Sequence, residues 1–123
     1  CFHLRWMLEC EDKKVKTSQT IRFVGGGALS PVTCQMLSDI TGRTVETVEN
    51  TKDVGSIGAA ILVAVGCGSI ADFDHVEEYI PVPARYEPDP KTRHIYDRNY
   101  KVFRRLYQNN KENFTILNEG RSE

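Results

Sequence analysis

The stretch Thr20-Ile21-Arg22-Phe23-Val24-Gly25-Gly26-Gly27-Ala28-Leu29-Ser30-Pro31 decides the fold. Its first half is β-branched and aromatic, with Ile21 and Phe23 alternating against Thr20 and Arg22, the pattern of a short strand. Three glycines stop that strand. Ser30 is a favoured N-cap and Pro31 a favoured first helical residue, so a helix starts there. Val32, Met36, Leu37 and Ile40 share one face and carry the helix to about Thr41, where Gly42 ends it. Strand, glycine turn and helix in this order set bare backbone beside unpaired helix N–H groups, which suits a nucleotide or its phosphates. The same glycines also fit a tight strand-to-helix turn that binds nothing. The stretch lacks both the GxGxxG spacing and the Lys of a P-loop.

On the N-terminal side, Phe2 to about Lys16 reads as helix, with Phe2/Trp6 and Leu4/Leu8 at four-residue spacing. On the C-terminal side, Arg43 to Val48 alternates like a second strand. Asp53 is placed to cap a further helix whose apolar face is Ile57, Ala60, Ile61, Ala64 and Val65. Its small residues, Gly55, Gly58, Ala59, Ala60, Gly66 and Gly68, predict close approach of another backbone and an interior position. A short helix is expected over 73–79. Pro81-Val82-Pro83-Ala84-Arg85-Tyr86-Glu87-Pro88-Asp89-Pro90 reads as an extended connector, because four prolines remove donors and fix φ. Thr92 opens a long helix to about Asn109, with Tyr96, Tyr100, Phe103 and Tyr107 on one stripe. The tail after Phe114 is expected to fray. The layout is α/β, with two strands that need partners from outside this chain.

Composition narrows the function. The chain has 123 residues, with 16 Lys+Arg against 17 Asp+Glu and a formal net charge of −1. Such balance argues against the basic field that nucleic-acid binding needs and against a polybasic membrane contact. Hydrophobic residues make up 40% and charged residues 27%, the profile of a soluble globular domain. Residues 1–80 carry 7 basic and 11 acidic side chains and residues 81–123 carry 9 and 6, which reads as two solvated faces. Cys1, Cys10, Cys34 and Cys67 match no zinc spacing and read as buried or semi-buried free thiols of a reducing, cytoplasmic setting. The longest apolar run, Ile57 to Val65, is too short to span a bilayer. No metal-ligand or catalytic set emerges. Asp53, Asp72 and Asp74 read as caps or solvated helix residues, and His3, His75 and His94 as isolated histidines. The chain opens without Met in what reads as the middle of an amphipathic helix, so it is expected to be part of a longer protein.

The longer pattern adds a family. Ile21-Arg22-Phe23-Val24-Gly25-Gly26-Gly27-Ala28-Leu29-Ser30, followed by Gln35-Met36-Leu37-Ser38-Asp39-Ile40-Thr41-Gly42, resembles the adenosine segment of the FGGY family of carbohydrate kinases. There a strand leads into Gly-Gly-Gly-Ala-x-Ser and then Gln-Met-x-Ala-Asp-x-x-Gly. Asp53 to Ala60 resembles that family's next helix with its Gly-Ala-Ala. Tyr86-Glu87-Pro88-Asp89-Pro90, with Tyr96, Tyr100 and Tyr107, resembles its closing segment. The likeness runs colinearly over roughly residues 4–110 and looks closest to the xylulokinase branch. It implies that 1–123 is the C-terminal portion of a nucleotide-binding domain: a strand, glycine-loop and helix region over 1–80, a connector over 81–90, and a helix with tail over 91–123. The fold implied is the C-terminal lobe of an actin-like (ribonuclease H-like) ATPase, and the activity is transfer of a phosphoryl group from ATP, with Mg²⁺, to a sugar. The nucleotide-binding positions carried over are Gly25, Gly26, Gly27, Ala28 and Ser30; no catalytic residue of the family matches this chain. Gln35 and Asp39 read as structural. Thr33, Cys34 and Ser38 depart from the pattern, where relatives often carry an aromatic residue, Arg and Ala. Two other readings stay open: a non-catalytic nucleotide-binding module of the same fold, and a packing or homodimer unit built on the tyrosine stripe.

Overall fold

The computed structural model describes residues 1–120. Helix α1 (Phe2–Glu11) precedes strand β1 (Thr20–Phe23), and a 3₁₀ turn (Gly26–Leu29) leads into α2 (Pro31–Thr41). Strand β2 (Thr44–Thr47), helix α3 (Val54–Gly66), a 3₁₀ segment (Phe73–Tyr79), β3 (Ala84–Tyr86), α4 (Arg93–Asn109) and α5 (Lys111–Asn118) follow. The sheet runs β1-β2-β3. β1 and β2 are parallel, pairing Ile21 with Val45 and Phe23 with Thr47. β3 is antiparallel to β2, pairing Val45 with Tyr86 and Thr47 with Ala84.

That register sorts the side chains. Ile21, Phe23, Val45 and Tyr86 face α2 and close over Cys34 and Leu37, the small core of the chain. The opposite face carries a charge ladder: Glu46 of β2 lies 3.7 Å from Arg22 of β1 and 3.0 Å from Arg85 of β3. Opposite charges on neighbouring strands support the pairing by a few tenths of a kcal/mol or more, ~0.2–1 each.

Several expectations are corrected. β2 has a partner inside the chain, because Ala84–Tyr86 of the Pro-rich connector forms a strand; the prolines flank it rather than interrupt it. α1 stops at Glu11, not near Lys16; just past it the Asp12 carboxylate pairs with the guanidinium of Arg43, 2.5 Å away, and also bonds Thr17. Residues 111–118 are helical as α5, with Phe114 packed on Tyr107 at 6.0 Å; positions 121–123 of the expected tail lie outside the described residues. α3 buries no residue among those described, and nothing lies within 4 Å of a Cβ built on Gly55, Gly58 or Gly66. Asp53 sits at the N-cap of α3 without a side-chain bond. Cys34 alone is buried; Cys1, Cys10 and Cys67 are exposed. His75 is not isolated, since its Nδ1 lies 2.7 Å from Asp72 Oδ1, in a pair more than half exposed.

The tyrosine stripe packs within the chain. Phe2 and Trp6 of α1 meet Tyr96, Tyr100, Phe103 and Tyr107 of α4 at 5.3–6.4 Å between ring centres. Polar bonds fix the same contact: Tyr100 donates to Glu9 Oε2 at 2.7 Å, and Arg5 reaches Asp97 at 2.7 Å.

Candidate functional site

The glycine turn sits at the carboxyl end of β1, where α/β sheets place their ligands. Gly25 leaves the strand with φ 85° and ψ −170°, a conformation open in practice to glycine alone. Ala28 N–H then donates to Gly25 O at 3.1 Å and Ser30 N–H to Gly27 O at 3.3 Å, closing the 3₁₀ turn. Ser30 Oγ accepts the Thr33 N–H at 3.3 Å, as an N-cap does, so α2 begins directly beneath the turn.

The five predicted residues play different parts. Gly26 has an ordinary φ and open space where a Cβ would stand, so no neighbour among the described residues requires a glycine there. Gly27 does have such a neighbour: a Cβ would stand 2.9 Å from Phe23 Cζ. Ala28 is buried against the core side, and Cys34 Sγ lies 3.5 Å from its carbonyl. Burial raises the pKa of the Cys34 thiol, which keeps the group beneath the turn neutral.

Residues not singled out in the sequence adjoin the glycine turn. Gly25 N–H is shared between Thr51 Oγ1 at 2.8 Å and Thr51 O at 3.1 Å. Thr51 is buried, and Asn50 before it has a left-handed φ of 50°. A pocket of about 480 Å³ lies between this loop and the turn, lined by Ala28, Leu29, Asn50, Thr51, Lys52 and Pro83. The only advance signal was the cluster Glu49-Asn50-Thr51-Lys52, which reads as a turn. A larger cavity, about 670 Å³, lies between α1, α4 and α5, away from the glycines; its walls, Trp6, Met7, Phe103, Leu106 and Phe114 among them, are almost all carbon.

Gln35, Asp39 and Ser38 are structural. Asp39 Oδ1 accepts from Gln35 Nε2 at 2.9 Å and from Asp89 N–H at 2.8 Å, and Gln35 also donates to Glu87 O at 2.8 Å. Ser38, fully buried, holds its Oγ 2.8 Å from Arg43 O and 3.0 Å from Tyr86 O. The departure from Ala at position 38 thus joins α2 to the segments entering β2 and leaving β3.

These features define a class, an α/β lobe that turns a strand into a helix through bare glycines at the carboxyl edge of its sheet. The particular family follows from comparison: the profile of the FGGY family of carbohydrate kinases, C-terminal domain, matches residues 1–67, and the chain belongs to that family. It is 29% identical over 119 residues to the FGGY carbohydrate kinase domain-containing protein of Homo sapiens, covering 94% of this chain and 21% of that protein. It is 30% identical over 105 residues to a probable L-xylulose kinase of Pasteurella multocida, covering 85% of this chain and 21% of that one. Ligand-bound xylulose kinase from Lactobacillus acidophilus matches its structure with a TM-score of 0.81 at 19% identity, covering 89% of this chain and 22% of that one. The fold is therefore that of the C-terminal domain of an actin-like kinase. The chain spans about a fifth of the length of the curated relatives it matches.

Proposed function

We propose that this chain is the adenosine-side part of a cytoplasmic, ATP-dependent sugar kinase of the xylulokinase type. The observation that supports it most directly is Gly26, a bare position facing open space in the turn that leads to α2, with no neighbour among the described residues that needs the gap. The backbone of Gly25, Gly26 and Gly27 lies against the phosphates and ribose. Ala28 keeps the turn narrow, and the N-terminal dipole of α2, capped by Ser30, adds partial positive charge. ATP supplies the phosphoryl group and a sugar hydroxyl receives it. Among the described residues no three His, Cys, Asp or Glu side chains group to hold a metal. In this reading the Mg²⁺ that would neutralise the ATP phosphates belongs to the full-length kinase.

The intact kinase phosphorylates D-xylulose or a related sugar, and the 123-residue chain alone is inactive for want of a base. Titrating ATP against the intact kinase and its Gly26→Val variant tests the site. A drop in affinity of tenfold or more is expected, and equal affinities would remove the turn from the site. Phosphorylation of D-xylulose by the purified chain would overturn the second expectation. The homodimer reading gains no support, since the tyrosine stripe is used within the chain.

A further inference from the structure

We propose that Thr51 is a positioning residue for the nucleotide, its hydroxyl fixing the glycine conformation that presents the backbone of the turn. The inference rests on the reading of that turn as a nucleotide site.

Gly25 is the pivot. Its φ of 85° and ψ of −170° decide the direction in which Gly26 and Gly27 leave the strand. Glycine samples many other conformations at little cost, so something outside the turn must select this one. Helix α2 holds the far end through Ser30 and Cys34. At the near end the Gly25 N–H has two acceptors, both from Thr51, and the shorter bond is to the side chain at 2.8 Å. Thr51 lies 26 residues further along the chain, on the loop that leaves the neighbouring parallel strand β2. This loop is itself held, because Asp53 N–H donates to Asn50 O at 2.8 Å around the left-handed Asn50. Thr51 is only 5% exposed, so water competes little for the bond. One hydroxyl thereby ties the loops of two adjacent strands at the carboxyl edge of the sheet, and both loops line the 480 Å³ pocket.

Geometry of this kind acts on binding more than on folding. Replacing Thr51 by Val keeps the branched shape and the longer bond to the backbone carbonyl, and removes the shorter one. Thr51→Ser keeps the hydroxyl and loses only a methyl group. In the intact kinase, Thr51→Val is expected to raise the dissociation constant and KM for ATP about five- to tenfold, the effect of one hydrogen bond, with kcat within about twofold. The Gly25 amide should exchange with solvent at least about fivefold faster, reflecting the same loss. Thr51→Ser should restore both to the unaltered values. Thr51→Ala, which removes the hydroxyl without filling its space, should repeat the loss of ATP affinity, and serves if the Val variant is poorly folded. Unaltered ATP affinity in either folded variant, with or without faster Gly25 exchange, overturns the inference. So does failure of Thr51→Ser to restore it. An unaltered kinase that binds no ATP is a different result: it refutes the nucleotide reading itself, and the positioning role falls with it.

Discussion

Gly26 and Gly27 are neighbours of one type with different reasons to be glycine. A side chain at 27 would enter the ring of Phe23, whose packing helps cover Cys34 and Leu37. Gly27→Val should therefore cost about 1–3 kcal/mol of stability through overpacking. At 26 there is room, and Gly26→Val should change stability by no more than about 1 kcal/mol. Urea unfolding of both variants checks this, and equal losses would show that the turn, not the Phe23 ring, is what resists substitution. Loss of ATP binding in the Gly27 variant therefore mixes packing with access, while the Gly26 variant reads access alone. Ser30 also belongs at this scale. Ser30→Ala removes the acceptor of the Thr33 N–H and should cost about 1 kcal/mol, read in the same unfolding experiment.

Among the elements, the bounds of α2 are legible because their punctuation is local: Ser30-Pro31 starts it and Gly42 at φ 71° stops it. Its buried face is only half legible: Leu37 and Ile40 are buried as the apolar spacing predicts, but Val32 and Met36 are exposed and Cys34, Ser38 and Asp39 are buried in their place. β3 was not legible, since its three residues are framed by prolines and its pairing is decided by β2, some forty positions earlier. The position of α3 departs from the expected interior one for a related reason. Small residues permit close approach, but whether a neighbour comes is a tertiary fact: Ile57, Ile61, Ala64 and Val65 are half-buried, yet no described residue comes within 4 Å of a Cβ at Gly55, Gly58 or Gly66. In the candidate site the glycines announced themselves by composition, whereas Thr51 did not, because a threonine in a turn carries no mark of the distant amide it accepts. The link between α2 and the connector is equally non-local. Asp39, 6% exposed, accepts the Asp89 N–H as well as the Gln35 amide, so Asp39→Ala strands two donors. The expected cost is about 2 kcal/mol, with the connector loosened first. Faster amide exchange at Asp89 than in β1 would show it, and uniform change across the chain would contradict it.

At the scale of the whole molecule, the chain is closed by the contact of α1 with α4, which joins residues more than ninety positions apart. Its charged centre is Arg5, which bonds Asp97 at 2.7 Å and Ile40 O at 3.3 Å and so ties three helices. Burial pushes the pKa of Asp97 up, but the Arg5 hydrogen bond and the charges of Arg93 and Arg5 together outweigh it. They hold the carboxyl below its ordinary 3.8. A carboxylate with a depressed native pKa stabilises the fold above its unfolded pKa, and that contribution is lost as pH falls through the lower native value. Asp97 is 39% exposed, so solvent screens the pair and its worth at neutral pH is about 1 kcal/mol. Asp97→Asn should accordingly lower stability by about that much at pH 7. The difference should persist down to pH 5 and close below pH 3.8, as the native chain takes up the proton that the variant never needed. Urea midpoints of both proteins at pH 7, 5 and 3 make the measurement. A gap that stays constant across the three values would assign the loss to packing of the carboxamide rather than to the charge between the helices.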